Sequence, residues 1–217
     1  MKVPLDGETK CLLVSHLMTS PASAVPVPSV EERVLDAAKV CIERWGMAKI
    51  TIDDIANEAG VSRATLYRLF PGGKDVLFEA FRVRELEEFF TRLASHLDHI
   101  DDLEDLLVRV VVSATKELRS DQHLAGMLAS EPGEALTSLT VDGLPRIIRI
   151  ATVFLIPIVG EYVPRREASR LVEFLARMVI SFFLAPSDHV DLGDPESARA
   201  FIATFVLPAF QPSLASS

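Results

Sequence analysis

"GVSRATLYRLFPGGKD", residues 60–75, is the stretch on which the fold of this chain turns. From Gly60 to Lys74 it holds three bases, Arg63, Arg68 and Lys74, and no acid, although the 217-residue chain carries a formal net charge of −9. Just upstream, "TIDDIANEAG" (51–60) reads as a short helix. Thr51 caps it, Asp54 stands at the third helical position, and Ile52, Ile55, Ala56 and Ala59 recur at helical spacing. Ser62 is placed to cap a second helix, "RATLYRLF", with Leu66 and Phe70 on its inner face, and Pro71-Gly72-Gly73 stops it. Two short helices joined by a Gly-Val-Ser turn make a helix-turn-helix. Gly60 tolerates the positive φ of the turn, Ala56 is small where the helices cross, and Val61 plugs the angle between them.

The chemistry of the second helix follows from its outward face. Ser62 starts it crisply, so its N–H groups and dipole face a phosphate, and its first turns suit the major groove. Arg63 and Arg68 match guanine O6/N7 or phosphate. Ala64 and Thr65 suit thymine methyls or close backbone approach, and the Tyr67 hydroxyl suits a phosphate or the ring packs half-buried. Thr51 and Lys74 flank the groove. Positive charge is local because the expected partner, double-stranded DNA, is met locally; acid elsewhere limits nonspecific coating.

Working outward, "SVEERVLDAAKVCIERWG" opens with a Ser29/Glu32 capping box and closes at Gly46. A long helix runs over 74–97. Past it, helices are expected over 101–118, 123–130, 144–163 with Pro157 as a kink, 165–185, and 198–210 after the Asp194 cap. No stretch alternates as a strand does, so the fold is expected to be all-α. We divide it into a disordered N-terminal arm (1–28), a helix-turn-helix DNA-binding domain (29–75) and a helical effector-binding and dimerisation domain (76–217). The first 28 residues loosely imitate a signal peptide, but the apolar part is short and contains His16.

"VLDAAKVCIERWGMAKITIDDIANEAGVSRATLYRLFPGGKDVLF" resembles the TetR (tetracycline-repressor) family of bacterial transcriptional regulators over about residues 30–80. The shared pattern is T-x-x-x-I-A-x-x-A-G-V-S, then T-L-Y-x-x-F, then a Lys opening the next helix. The resemblance implies Thr51, Arg63, Ala64, Thr65, Tyr67 and Lys74 at the DNA. One departure is the spacing from Phe70 to Lys74, four residues where the family often has three, with Gly72-Gly73 between. The resemblance also implies a C-terminal ligand-binding domain and dimers formed by the last two long helices. For that interface the candidates are Leu171, Phe174, Leu175, Phe183, Phe201, Ile202 and Phe205; two-fold symmetry then predicts a pseudo-palindromic operator.

Met127, Leu128, Phe154, Met178 and Phe182 either line a cavity for an apolar or amphipathic effector or are plain core. Hydrophobic residues make up 49% of the chain and mean hydropathy is +0.27, which points to an additional buried surface. "SHLDHIDD" sets His96 and His99 beside Asp98, Asp101 and Asp102, a metal-like grouping or a solvated linker; no metal and no cofactor is expected. Two cysteines, Cys11 and Cys41, make no disulfide framework, and Cys41 is expected as a core thiol. No apolar run reaches membrane-spanning length, no phosphate loop or hydrolase motif is present, and the chain is expected to be a cytoplasmic non-enzyme. The expected function is a homodimeric, ligand-released repressor. The alternatives are a DNA-binding dimer without an effector and an interaction module that has lost DNA binding.

Overall fold

The computed structural model describes residues 28–97, 100–130, 132–141 and 143–214, and every regular element among them is helical. Residues 1–27 of the expected N-terminal arm, Cys11 among them, and Asp98 and His99 lie outside the described residues. Helix α1 (Val30–Trp45) begins where the Ser29 hydroxyl accepts the Glu32 N–H at 3.1 Å and the Glu32 carboxylate accepts the Ser29 N–H at 2.5 Å. Those bonds hold the Glu32 carboxyl below its ordinary range. Helix α2 (Ile52–Ala59) begins in the same way at Thr51 and Asp54, α3 spans Arg63–Leu69, and α4 spans Lys74–Ser95.

Their apolar stripes meet in one core. Val34, Cys41, Ile55, Leu66, Leu77 and Phe81 are all fully or nearly fully buried there. Burial raises the pKa of the Cys41 thiol, consistent with an inert core cysteine. Helix α4 then leaves this core and enters a second one, where Phe90 and Leu93 pack among the remaining helices. The two apolar cores therefore part inside α4, between Phe81 and Phe90, whereas the expected division fell at its first turn.

The second core is built by α5 (Leu103–Ser120), α6 (Gln122–Ser130), α7 (Pro132–Leu139), α8 (Leu144–Val159), α9 (Arg165–Leu184), α10 (Pro195–Phe201) and α11 (Leu207–Leu214). Helices α8 and α9 pack along each other, α8 against α4, and α5 against both α9 and α10. Helix α5 starts at Leu103, two residues later than expected, because Asp102 accepts the Asp105 N–H at 2.9 Å and caps it. Helix α7 was not anticipated from sequence. Helix α8 stops at Val159, where the Gly160 N–H bonds the Ile156 carbonyl at 2.8 Å, and it runs on through the exposed Pro157. A π-helical turn, Ile202–Val206, joins α10 to α11 and carries the last helix beyond Phe210. No helix among the described residues is long and apolar enough to cross a membrane.

Candidate nucleic-acid interface and an apolar cavity

Helices α2 and α3 are joined by Gly60, whose φ of 65° and ψ of 36° are left-handed, as the turn requires. Val61 is half-buried between the helices, and its N–H bonds the Ala56 carbonyl at 3.0 Å. Three of the expected site residues spend their hydroxyls on caps. Thr51 Oγ1 accepts the Asp54 N–H at 3.2 Å and donates to the Asp54 carboxylate at 2.6 Å. Ser62 Oγ accepts the Thr65 N–H at 3.1 Å and lies 2.9 Å from Thr65 Oγ1. Arg63, Ala64, Tyr67 and Arg68 are exposed on the outer face of α3. Lys74 is half-buried, with its Nζ 5.2 Å from the Phe78 ring centroid.

The extra residue before Lys74 is absorbed by glycine. Phe70 ends α3, the Gly73 N–H bonds the Phe70 carbonyl at 2.9 Å, and Gly72 and Gly73 take φ values of 120° and 73°. A Cβ on Gly73 would stand 3.2 Å from Tyr67 Cε1, so this glycine also makes room for the tyrosine ring. Arg63 meets the same ring: its guanidinium carbon is 5.6 Å from the Tyr67 ring centroid, and Nη1 reaches the Asp53 carboxylate at 3.0 Å. The Tyr67 side chain first, and Asp53 second, raise the Arg63 pKa above its ordinary value. The hold of Asp53 on Arg63 and the contact of Gly73 with Tyr67 are not legible in the sequence, because the partners lie ten and six residues away.

A cavity of about 210 Å³ opens inside the second core. Its apolar wall comes from α4 (Phe81, Leu86, Phe89, Phe90, Leu93), α5 (Val110, Ala114, Leu118), α8 (Ile147, Ala151, Leu155) and α9 (Val172, Leu175, Val179). Of the five cavity residues expected from sequence, Met127 lines it, and Leu128, Phe154, Met178 and Phe182 do not. Phe154 instead stacks on Phe90 at 6.2 Å and Phe182 meets Phe201 edge-on at 5.5 Å. Helical spacing marks a side chain as inward, but it does not say which interior surface it meets.

Charged residues complete the wall, and they join it to the first core. Arg146 grips Glu79 of α4 with two bonds, 2.8 and 2.5 Å long. Glu85 pairs with Lys39 of α1 at 3.0 Å, and Arg92 with Glu117 at 3.1 Å. Arg82 donates to the sulfur of Met47 at 3.4 Å. Met47 belongs to the helix-turn-helix core and also lines the cavity, so one side chain is shared by the two units.

The expected interface residues separate into two groups. Leu171, Leu175 and Ile202 are 0, 2 and 0% exposed and fill the chain's own core, which corrects their place among the interface candidates. Phe174 and Phe205 point outward, 43 and 65% exposed, and Phe183 and Phe201 are half-buried. Phe201 and Phe205 lie 5.2 Å apart across the π-helical turn. Among the described residues, no group of three His, Cys, Asp or Glu side chains is placed to hold a metal ion.

Residues 34–81 match the model of the family described as bacterial regulatory proteins, tetR family. An uncharacterized HTH-type transcriptional regulator of Mycobacterium tuberculosis is 28% identical over 194 residues, 86% of this chain and 88% of the relative. Among solved structures, the TetR family repressor AlkX from Dietzia sp., implicated in biodegradation of n-alkanes, is 23% identical with a TM-score of 0.64. That match covers 88% of this chain and 100% of AlkX. The fatty acid degradation regulator FadR of Bacillus halodurans shares the fold at 19% identity and a TM-score of 0.52, over 85% of this chain and 98% of its own. The capped helix pair, its left-handed Gly60 turn and its exposed basic helix therefore sit where the family model matches, and residues 34–81 form a DNA-binding domain of the tetR family of bacterial regulatory proteins.

Proposed function

We propose that the protein is a homodimeric repressor of the cytoplasm that reads a pseudo-palindromic operator and releases it when an apolar or amphipathic molecule fills the cavity. Arg63, Ala64 and Arg68 face base edges, Thr51, Tyr67 and Lys74 contact phosphates, and Ser62 and Thr65 set the start of α3. Two copies place their α3 helices about 35 Å apart, one helical turn of DNA. Phe174 and Phe205 are the exposed aromatic surface that a second copy covers.

The observation that carries ligand release is the cavity wall. It contains Met47 from the helix-turn-helix core and five apolar residues of α4, the helix that runs through both cores. A ligand that prefers a wall displaced at Met47 and α4 shifts the population toward a spacing that fits DNA less well, by a coupling of about 1–3 kcal/mol. The likeness to AlkX carries the fold alone; the ground for an apolar effector is the lining of this cavity.

Selection from a random double-stranded DNA pool, followed by a salt titration on the enriched sequence, tests the reading. An inverted repeat whose affinity falls as salt rises is expected; a pool with no enrichment at low salt refutes DNA reading. Calorimetric titration with acyl thioesters, sterols and planar aromatics then tests the effector. Binding by none of these classes removes the ligand-release half.

A further inference from the structure

Arg63 stands at the first position of α3 and would be the first side chain of that helix to meet DNA. It is not a free arm. Its Nη1 donates to the Asp53 carboxylate of α2 at 3.0 Å, and its guanidinium lies over the Tyr67 ring at 5.6 Å. The ring is in turn seated against Gly73, which has no Cβ to displace it. Two groups therefore meet the guanidinium, Asp53 from the first turn of α2 and Tyr67 from the second turn of α3, and the N-terminus of α4 borders the Tyr67 ring. All of this happens at the surface, where Arg63 and Asp53 side chains remain 62 and 57% exposed.

An acid in that position is costly for binding DNA as such. Asp53 carries a negative charge onto the face that approaches phosphates, and it weakens the attraction for every sequence alike. Asp54, its neighbour, is accounted for by the Thr51 cap; Asp53 makes no cap. What Asp53 does make is the ion pair that, with the Tyr67 ring, restricts the guanidinium plane. A bidentate contact to a base edge depends on that plane.

We propose that Asp53 is a specificity-determining positioning residue: it orients Arg63, with Tyr67 as the platform, so that Arg63 discriminates one base pair in each half-site. This inference rests on the DNA-reading function proposed above. Asp53 gives up affinity for all DNA in return for discrimination at one position. An exposed pair of this kind contributes up to about fivefold, so discrimination at that base pair falls by up to about fivefold per half-site when the carboxylate is removed. With both half-sites changed together, the loss is up to about twenty-fivefold.

The test uses the full-length protein. Wild type, Asp53→Asn, Arg63→Ala and the double variant are each carried through selection from the random DNA pool, with melting temperatures measured alongside. In the expected result the wild type enriches an inverted repeat, and Asp53→Asn relaxes preference at one symmetric pair of positions while binding non-cognate DNA more tightly at low salt. Asp53→Glu restores the preference, and in the Arg63→Ala background Asp53→Asn changes nothing at those positions. If Asp53→Asn leaves the enriched sequence unchanged while the wild type still selects a repeat, the positioning role is refuted and DNA reading stands. If it alters preference equally without Arg63, Asp53 reads a base itself and the proposal fails. Loss of preference at every position, with a lowered melting temperature, assigns Asp53 to the fold of α2 and also overturns it. A wild type that enriches nothing overturns the DNA-reading function first.

Discussion

Replacing Gly73 by alanine separates backbone strain from contact at the helix-turn-helix. Gly73 has φ 73° and ψ −134°, a conformation that glycine reaches freely and L-residues avoid. Forcing a Cβ there costs about 1–3 kcal/mol. The new Cβ would also stand 3.2 Å from Tyr67 Cε1, a tight contact. Tyr67 is 42% exposed, so its ring can yield outward and the steric share stays small. A total of about 2 kcal/mol lowers the melting temperature by about 4–8 °C in a chain of this size. Gly60 is the internal control. It is left-handed at φ 65° and ψ 36°, with no atom within 4 Å of where a Cβ would stand. Gly60→Ala therefore costs only the left-handed penalty, about 1 kcal/mol, or about 2–4 °C. Differential scanning calorimetry at one protein concentration measures both. The displaced Tyr67 ring in Gly73→Ala should also weaken operator binding beyond the effect of Gly60→Ala. Equal melting of Gly73→Ala and wild type, or a larger loss in Gly60→Ala, would refute this account.

Three other outcomes follow from the structure. Phe205→Glu should shift sedimentation from dimer to monomer with little change in secondary structure, because Phe205 is mostly exposed; Leu171→Ala should instead unfold the chain more easily, by about 2–5 kcal/mol, because it leaves a cavity in the chain's own core. Ala114→Phe places a ring in the 210 Å³ cavity, so fluorescence enhancement of anilinonaphthalene sulfonate should be lost while the melting temperature changes by no more than about 4 °C. Glu32, Asp54, Asp105 and Asp191 all have carboxyl pKa values lowered by their native partners, so the unfolded chain takes up protons first as pH falls. Their stabilisation is present above the ordinary carboxylate pKa of about 4 and is lost as pH drops below it; Thr51→Val, which removes the largest cause acting on Asp54, should flatten that part of an acid-unfolding curve.

The helix-turn-helix was legible because its determinants are local. Ser29 with Glu32, Thr51 with Asp54, and Ser62 with Thr65 lie three residues apart, and each cap forms from side chains the chain itself brings together. Gly60 and the Gly72-Gly73 pair mark positive φ for a reason that belongs to glycine alone. The helical stripes of α1 to α3 were also readable, since each of these amphipathic faces has one interior to enter, whereas α4 passes from one core into the other.

The distant half behaves differently. Helix α9 carries apolar residues on adjoining faces, so periodicity indicates burial without naming the neighbour. Only packing shows that Leu171 and Leu175 face α5 and α8's core while Phe174 faces out. Whether an inward residue meets a cavity or another side chain depends on how several helices cross. That is why Phe154 lies against Phe90, while Arg146, polar and unremarked in the sequence, helps to enclose the cavity. Asp53 makes the same point at the surface: its charge is visible at once, but its hold on Arg63 exists only because the Gly60 turn swings α3 back across the first turn of α2. Local geometry and capping were written in the order of the residues. The partners of each face came from the crossing of helices far apart in the chain, and no short window of sequence contains that information.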